Sequence, residues 1–225
     1  MGIVLPVMLM VLFVHVFGGA MDVGGDYLSY VTPGIILLCA GFGASNTAIA
    51  VEHDMSGGIM DRFRSMPVAS ATVLTGHVVA SVAKNLVTTA VVFGVAFLTG
   101  FRADAGLTEW LGAVAVIVLY VLAITWVATF VGVLVHSPDA AGGFTFLMLF
   151  LPYVSSAFVP VDSMPRWLQG FAENQPVTPV IETIRGLLVG AELGNAPALA
   201  VTWCIGISAV FLGLAAAAFA RRRRQ

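Results

Sequence analysis

Stretches of about twenty apolar residues recur along this chain with almost no charge inside them. That pattern removes most folds from consideration. Residues 112–135, "GAVAVIVLYVLAITWVATFVGVLV", contain no charged side chain at all. A run of 18 or more such residues is long enough to cross a bilayer as a helix. The bilayer core offers no water to backbone amides, so each crossing segment must satisfy its own hydrogen bonds. Continuous apolar runs mean helices; a barrel strand would alternate with a period of two. Charged residues make up 10% of the 225 residues, against about 25% in soluble domains. The expected fold class is therefore an all-α polytopic membrane protein.

Six spans are expected, over roughly 2–19, 33–51, 78–99, 110–135, 140–158 and 197–219. Pro33 and Pro138 are placed at helix starts, where a missing N–H costs least, and Pro152 should kink or break the fifth helix. The first run, "GIVLPVMLMVLFVHVF", has no basic residue ahead of it and leads directly into further apolar segments, so it reads as a retained span rather than a signal peptide. Cys39 and Cys204 fall inside apolar segments and read as small buried hydrophobes. No internal repeat, low-complexity tract or soluble domain is evident.

Orientation follows from the basic residues. The 52–77 loop, the 136–139 turn and the C-terminus hold Arg62, Arg64 and Arg221 to Arg224. The opposite side holds Arg102, Arg166 and Arg185, together with Asp22, Asp26, Asp104, Glu109, Asp162, Glu173, Glu182 and Glu192. The positive-inside rule puts the first group, and both termini, in the cytoplasm. "RRRRQ" then reads as a topological anchor beside anionic lipid, with no support for nucleic-acid binding.

Several chemistries are missing. The single lysine, Lys84, follows Ala83, so there is no Gly-Lys-Ser/Thr phosphate loop. His15, His53, His77 and His136 are scattered without metal-ligand spacing. No Asp or Glu lies deep in an expected span, where ion-coupled transporters keep an ionisable group. Lys84 is placed about two turns into the third helix. It reads as snorkelling or lining a wet cavity, with proton coupling the weaker alternative. Transport by this chain would draw its energy from elsewhere.

Two loops exceed what topology needs. In 160–196, Met164, Trp167, Leu168 and Phe171 repeat at i, i+3, i+4 and i+7. Further on, Thr178 is a cap, Pro179 a helix start and Gly190 a helix stop, with Val180, Ile184, Leu187 and Leu188 as the apolar stripe. The expectation is two short helices in or dipping into the outer leaflet, with Trp167 at the interface. The other long loop contains "SGGIMDRFRSMP". Ser56 is a cap, Ile59, Phe63 and Met66 form an apolar face, and Asp61, Arg62 and Arg64 point elsewhere. Such a helix either docks in a groove of a cytoplasmic partner or lies on lipid headgroups.

Three stretches carry a family resemblance. "VEHDMSGGIMDRFRSMPVASATVLTGHVVA", "FAENQPVTPVIETIRGLLVG" and "SSAFVPVDSMP" resemble segments of ABC-2 type permeases, in particular the daunorubicin-resistance exporter subfamily. The resemblance runs from about residue 2 to the C-terminus. It implies one transmembrane domain over 1–225, with a coupling helix at 56–67 that docks on a separate ATPase subunit. Glu52, Ile59, Met60, Asp61, Arg62, Phe63 and Arg64 fall on that coupling region, with Phe63 as an apolar anchor and Arg62 and Arg64 as charged contacts. Pro176, Pro179, Glu182 and Arg185 fall on an external gate motif, which they would shape rather than contact substrate. A Glu182–Arg185 pair at i, i+3 is worth a few tenths of a kcal/mol if exposed. Family members carry an amphipathic cytoplasmic segment before the first helix. This sequence opens almost directly on the first apolar run, so a start codon read late or a shortened subunit is expected.

The resemblance further implies two permeases, identical or paralogous, with two ATPases. ATP and Mg would be bound by the ATPase subunits and no cofactor by this chain. The cargo would be a hydrophobic drug, an antibiotic made by the host, or a lipid. Phe42, Phe93, Phe97, Trp126, Phe130, Phe150 and Tyr153 are candidates for an apolar cavity, although an aromatic in a span more often packs or faces lipid. Rival readings are a lipid or glycoconjugate exporter of the same architecture, a stand-alone secondary transporter or channel dependent on Lys84, and a non-transporting scaffold or immunity subunit.

Overall fold

The structure is a computed structural model describing residues 4–13, 16, 26–56 and 70–222. Among these residues there are helices and turns but no strand. The helices are α1 (Val4–Leu12), α2 (Tyr27–Ser56), α3 (Ser70–Leu98), α4 (Leu107–Leu134), α5 (Pro138–Tyr153), α6 (Arg166–Asn174), α7 (Val177–Val189) and α8 (Ala196–Arg222). Segments within α2, α3, α4 and α8 are each long and apolar enough to cross a membrane. The described part of α1 and the 16 residues of α5 fall short of that length.

Helix α2 is the axis of the bundle. It packs against α1, α3, α4, α5 and α7, and Val31 and Ile35 to Leu38 are fully buried. Its small residues set the approach distances. A Cβ on Gly34 would lie 2.6 Å from the Ala157 Cβ, and one on Gly41 would lie 3.3 Å from the Met148 carbonyl oxygen. Met148 is the i−4 neighbour of Pro152, which has no N–H to return to that carbonyl. On the other side, a Cβ on Gly132 of α4 would sit 2.5 Å from the Ala48 oxygen. Several buried hydroxyls are satisfied within their own helices: Thr32 donates to the Leu28 oxygen (2.7 Å), Ser45 to Gly41 (3.0 Å) and Thr129 to Thr125 (2.8 Å). This is how a polar side chain survives in an apolar bundle.

The helix boundaries depart from the expected ones in instructive ways. Pro33 lies inside α2 rather than at its start, because the helix begins at Tyr27, where Asp26 accepts from the Ser29 N–H at 3.2 Å and its hydroxyl at 2.9 Å. Helix α3 begins at Ser70, so Lys84 lies about four turns in, near its middle, rather than two. Helix α5 ends at Tyr153, one residue after Pro152, instead of reaching 158. Ser56 ends the described part of α2 and donates to the Glu52 and His53 carbonyls at 3.1 and 3.2 Å, while the helix it was expected to open lies outside the described residues. Pro138 sits in the first turn of α5 as expected, and Ser137 accepts from the Ala140 N–H at 3.2 Å.

Candidate functional site

The bundle has two ends. One carries the stop of α2, the start of α3, the α4–α5 turn and the end of α8. The other carries the start of α2, the 99–106 turn and the 154–195 segment. Expected site residues fall at both.

At the second end, α6 and α7 form as expected from their apolar spacing, but α7 starts at Val177, with Thr178 inside it. The Thr178 hydroxyl donates to the Ala172 carbonyl and so pins α7 to α6. Gly190 ends α7 at φ 75°, a left-handed conformation that favours glycine. Val180, Ile184 and Leu188 are fully buried, while Trp167 on α6 is 79% exposed. Leu187 reaches to within 3.2 Å of where a Gly112 Cβ would stand, so α7 lies over the start of α4.

Arg185 organises this end. It is only 6% exposed. Its Nη1 donates to Glu182 Oε1 at 2.8 Å, and its Nη2 donates to the carbonyls of Ser156 (2.8 Å) and Tyr30 (3.0 Å). The guanidinium carbon stands 3.7 Å from the Tyr30 ring centroid. One side chain thus ties α7, the turn after α5 and the start of α2. The buried Gln175 adds a second tie, donating to the Leu151 and Val154 carbonyls at 3.3 and 3.2 Å. The Leu151 carbonyl also accepts the Val154 N–H at 3.2 Å, so Gln175 reinforces the cap that ends α5. Of the expected gate residues, Pro179 is buried, Pro176 half-buried, and Glu182 and Arg185 are bonded to each other.

At the first end, Glu52 lies four residues before the end of α2 and is fully buried, with no hydrogen-bond partner for either oxygen among the described residues. Ile59, Met60, Asp61, Arg62, Phe63 and Arg64 lie outside the described residues. Above this end runs a polar seam between the antiparallel α2 and α3 that composition did not reveal. Asp54 Oδ2 lies 3.1 Å from His77 Nε2, and the Thr47 hydroxyl donates to Ser81 Oγ at 2.8 Å. A Cβ on Gly43 would overlap the Asn85 amide. The signal was present as i, i+4 repeats of small or polar residues, Gly43 with Thr47 and Ser81 with Asn85. The seam opens into a notch of about 110 Å³ lined by Phe42, Asn46, Ser81, Lys84, Asn85 and Thr88 among others.

The seven aromatic residues do not gather around one cavity. Phe93 and Phe97 pack against Trp110 at 5.4 and 6.0 Å between centroids. Trp126 is buried with Val78 and Ala215. Phe130 meets Phe211 edge-on at 5.6 Å and lines a groove between α4 and α8. Phe42 lines the α2–α3 notch, Phe150 is exposed, and Tyr153 stacks on Phe158 at 5.0 Å. No His, Cys, Asp and Glu group among the described residues is arranged to hold a metal.

Known proteins are similar to this chain in sequence. The chain is 27% identical over 214 residues to the daunorubicin resistance ABC transporter permease protein DrrB1 of Streptomyces coeruleorubidus, covering 94% of this chain and 76% of that protein. It is 31% identical over 210 residues to the probable doxorubicin resistance ABC transporter permease protein DrrC of Mycobacterium tuberculosis, covering 92% and 76%. The doxorubicin resistance permease DrrB of the same organism is 25% identical over 180 residues, with 76% and 59% covered. The family model described as ABC-2 type transporter matches residues 1–189, so the chain belongs to the ABC-2 type transporter family.

Proposed function

We propose that this chain is the membrane-spanning permease of an ATP-driven exporter for hydrophobic, drug-like or lipid-like molecules. One observation carries the reading: the chain is an ABC-2 family member whose 225 residues contain no Gly-Lys-Ser/Thr phosphate loop. ATP and Mg are then held by a separate ATPase subunit, and two permeases and two ATPases assemble. The basic residues assign the end bearing the stop of α2 to the cytoplasm, with both termini there. The four long helices, joined by α1 and α5, make six spans. Helices α6 and α7 sit in the outer leaflet and shape the exit, with Pro176, Pro179, Glu182 and Arg185 as its frame.

Residues 56–67 act as the coupling helix. Phe63 is the apolar anchor, Arg62 and Arg64 are the charged contacts, Ile59, Met60 and Asp61 complete the docking surface, and the buried Glu52 stands behind it at the end of α2, where the loop opens. The names of the relatives support a drug-like cargo. The test is co-purification of the tagged permease with its candidate ATPase, comparing wild type with Phe63→Ala/Arg64→Glu and reading ATPase activity. Loss of the partner in the variant is the expected result. Undiminished binding and activity would return residues 56–67 to a helix resting on lipid headgroups.

A further inference from the structure

The α2–α3 notch is not absorbed by the coupling helix or the outer frame. We propose that it is a headgroup site, which takes the anionic or hydrogen-bond-accepting head of an amphiphile from within the membrane. The inference rests on the permease reading above.

Its position is the first argument. Lys84 lies ten residues into the Leu74–Leu98 span, about 15 Å along the helix at 1.5 Å per residue, which is half of a ~30 Å hydrocarbon core. The Asp54–His77 pair, which marks the polar end of the seam, is seven residues back, or roughly 10 Å. A lysine this deep does not rest against acyl chains; it faces water or a complementary charge.

The second argument is charge. Lys84 is exposed on the isolated chain and has no ion-pair partner among the described residues. Helix α3 contains no carboxylate, and no Asp or Glu lines the notch. The lining therefore presents an ammonium, two amides and several hydroxyls with nothing negative among them. The amides are not equally committed. Asn46 donates to its own helix at 3.1 Å, whereas Asn85 is 3% exposed and seated over Gly43.

The third argument is shape. About 110 Å³ admits a few waters or one compact anionic group. It is too small for a whole drug-sized molecule. Phe42 and Cys39 supply an apolar wall. The head enters the notch while the tail lies along α3. A cationic head is disfavoured by Lys84.

The probe is dodecyl phosphate bearing a tail diazirine, applied to the full chain in phosphatidylcholine nanodiscs. Saturable labelling of α2 or α3 is expected, weakened at least tenfold in apparent affinity by Lys84→Met and kept within about threefold by Lys84→Arg. The matching dodecyltrimethylammonium probe should label weakly and ignore both changes. Two further arms separate the sources. Displacement by phosphatidylglycerol without ATPase stimulation in the complex identifies a resident lipid; stimulation by the phosphate probe identifies cargo.

Labelling unchanged by Lys84→Met, or equal with the cationic probe, overturns the proposal. So does disulfide crosslinking of Asn46→Cys to its copy in a second permease, which would make the notch a subunit interface. Failure of the wild-type chain to co-purify with any ATPase would instead sink the permease reading, a separate result.

Discussion

Arg185→Met should be among the most damaging single changes in the protein. Methionine matches much of the apolar stem but leaves the Ser156 and Tyr30 carbonyls without their donors at 2.8 and 3.0 Å. Hydrogen bonds to a charged group are worth about 1.5–3 kcal/mol each. The guanidinium–Tyr30 contact at 3.7 Å adds roughly 1 kcal/mol. The Glu182 pair deserves a discount, because the Glu182 side chain is 32% exposed and water replaces the lost partner, leaving ~0–1 kcal/mol. The expected loss is therefore about 4–8 kcal/mol, or a Tm fall on the order of 10–30 °C for a chain of this size.

Reversible unfolding in mixed micelles reads the free energy directly. Glu182→Gln is the control and should cost under ~1 kcal/mol, since the carbonyl contacts survive. Arg185→Lys should recover less than half, because an ammonium lacks the planar fork that reaches Glu182 through one nitrogen and both carbonyls through the other. A loss below ~1 kcal/mol for Arg185→Met would show that the two carbonyl bonds contribute nothing net, and the account of this end of the bundle would fail.

Other consequences are as direct. Gly34→Val places a side chain where Ala157 backbone atoms lie 2.9 Å away, so monodisperse yield by fluorescence-detected size exclusion should collapse. Gly190→Ala forces a φ of 75° on a Cβ-bearing residue and should cost about 1 kcal/mol in the same unfolding assay. Cys39 and Cys204 are 3% and 1% exposed, so a membrane-permeant maleimide should modify neither until the protein is denatured; rapid labelling of the native protein would contradict the packing around α2 and α8.

The helical class and the long spans were legible because bilayer length and backbone satisfaction leave few choices. Local punctuation was legible too: Pro138 opens α5, Pro152 precedes its end, and Gly190 closes α7. Pro33 misled because a proline favours a helix start, yet Asp26 caps the helix seven residues earlier. The Glu182–Arg185 spacing was visible, but the role of Arg185 was not. Its carbonyl partners lie 155 and 29 residues away in sequence, and nothing local announces them. The same holds for the α2–α3 seam, where short polar side chains match only once two antiparallel helices are set in register. The aromatic residues showed no pattern because they are spread over several helix–helix contacts, with Phe150 left exposed.

The length and burial of α2 have a mechanical corollary. Thirty residues make a shaft of roughly 45 Å, and a hydrogen-bonded helix cannot shorten to absorb a push. Displacement delivered at Ser56 must emerge at Tyr30, where Arg185 clamps the shaft to α7 and to the turn after α5. Pro33, three residues from that clamp, interrupts the backbone ladder and is where the shaft bends most easily. Under the proposed coupling role, thrust arriving along α2 would be turned into a tilt of its first turn, and α7 and the turn after α5, tied to that turn through one guanidinium, would swing with it.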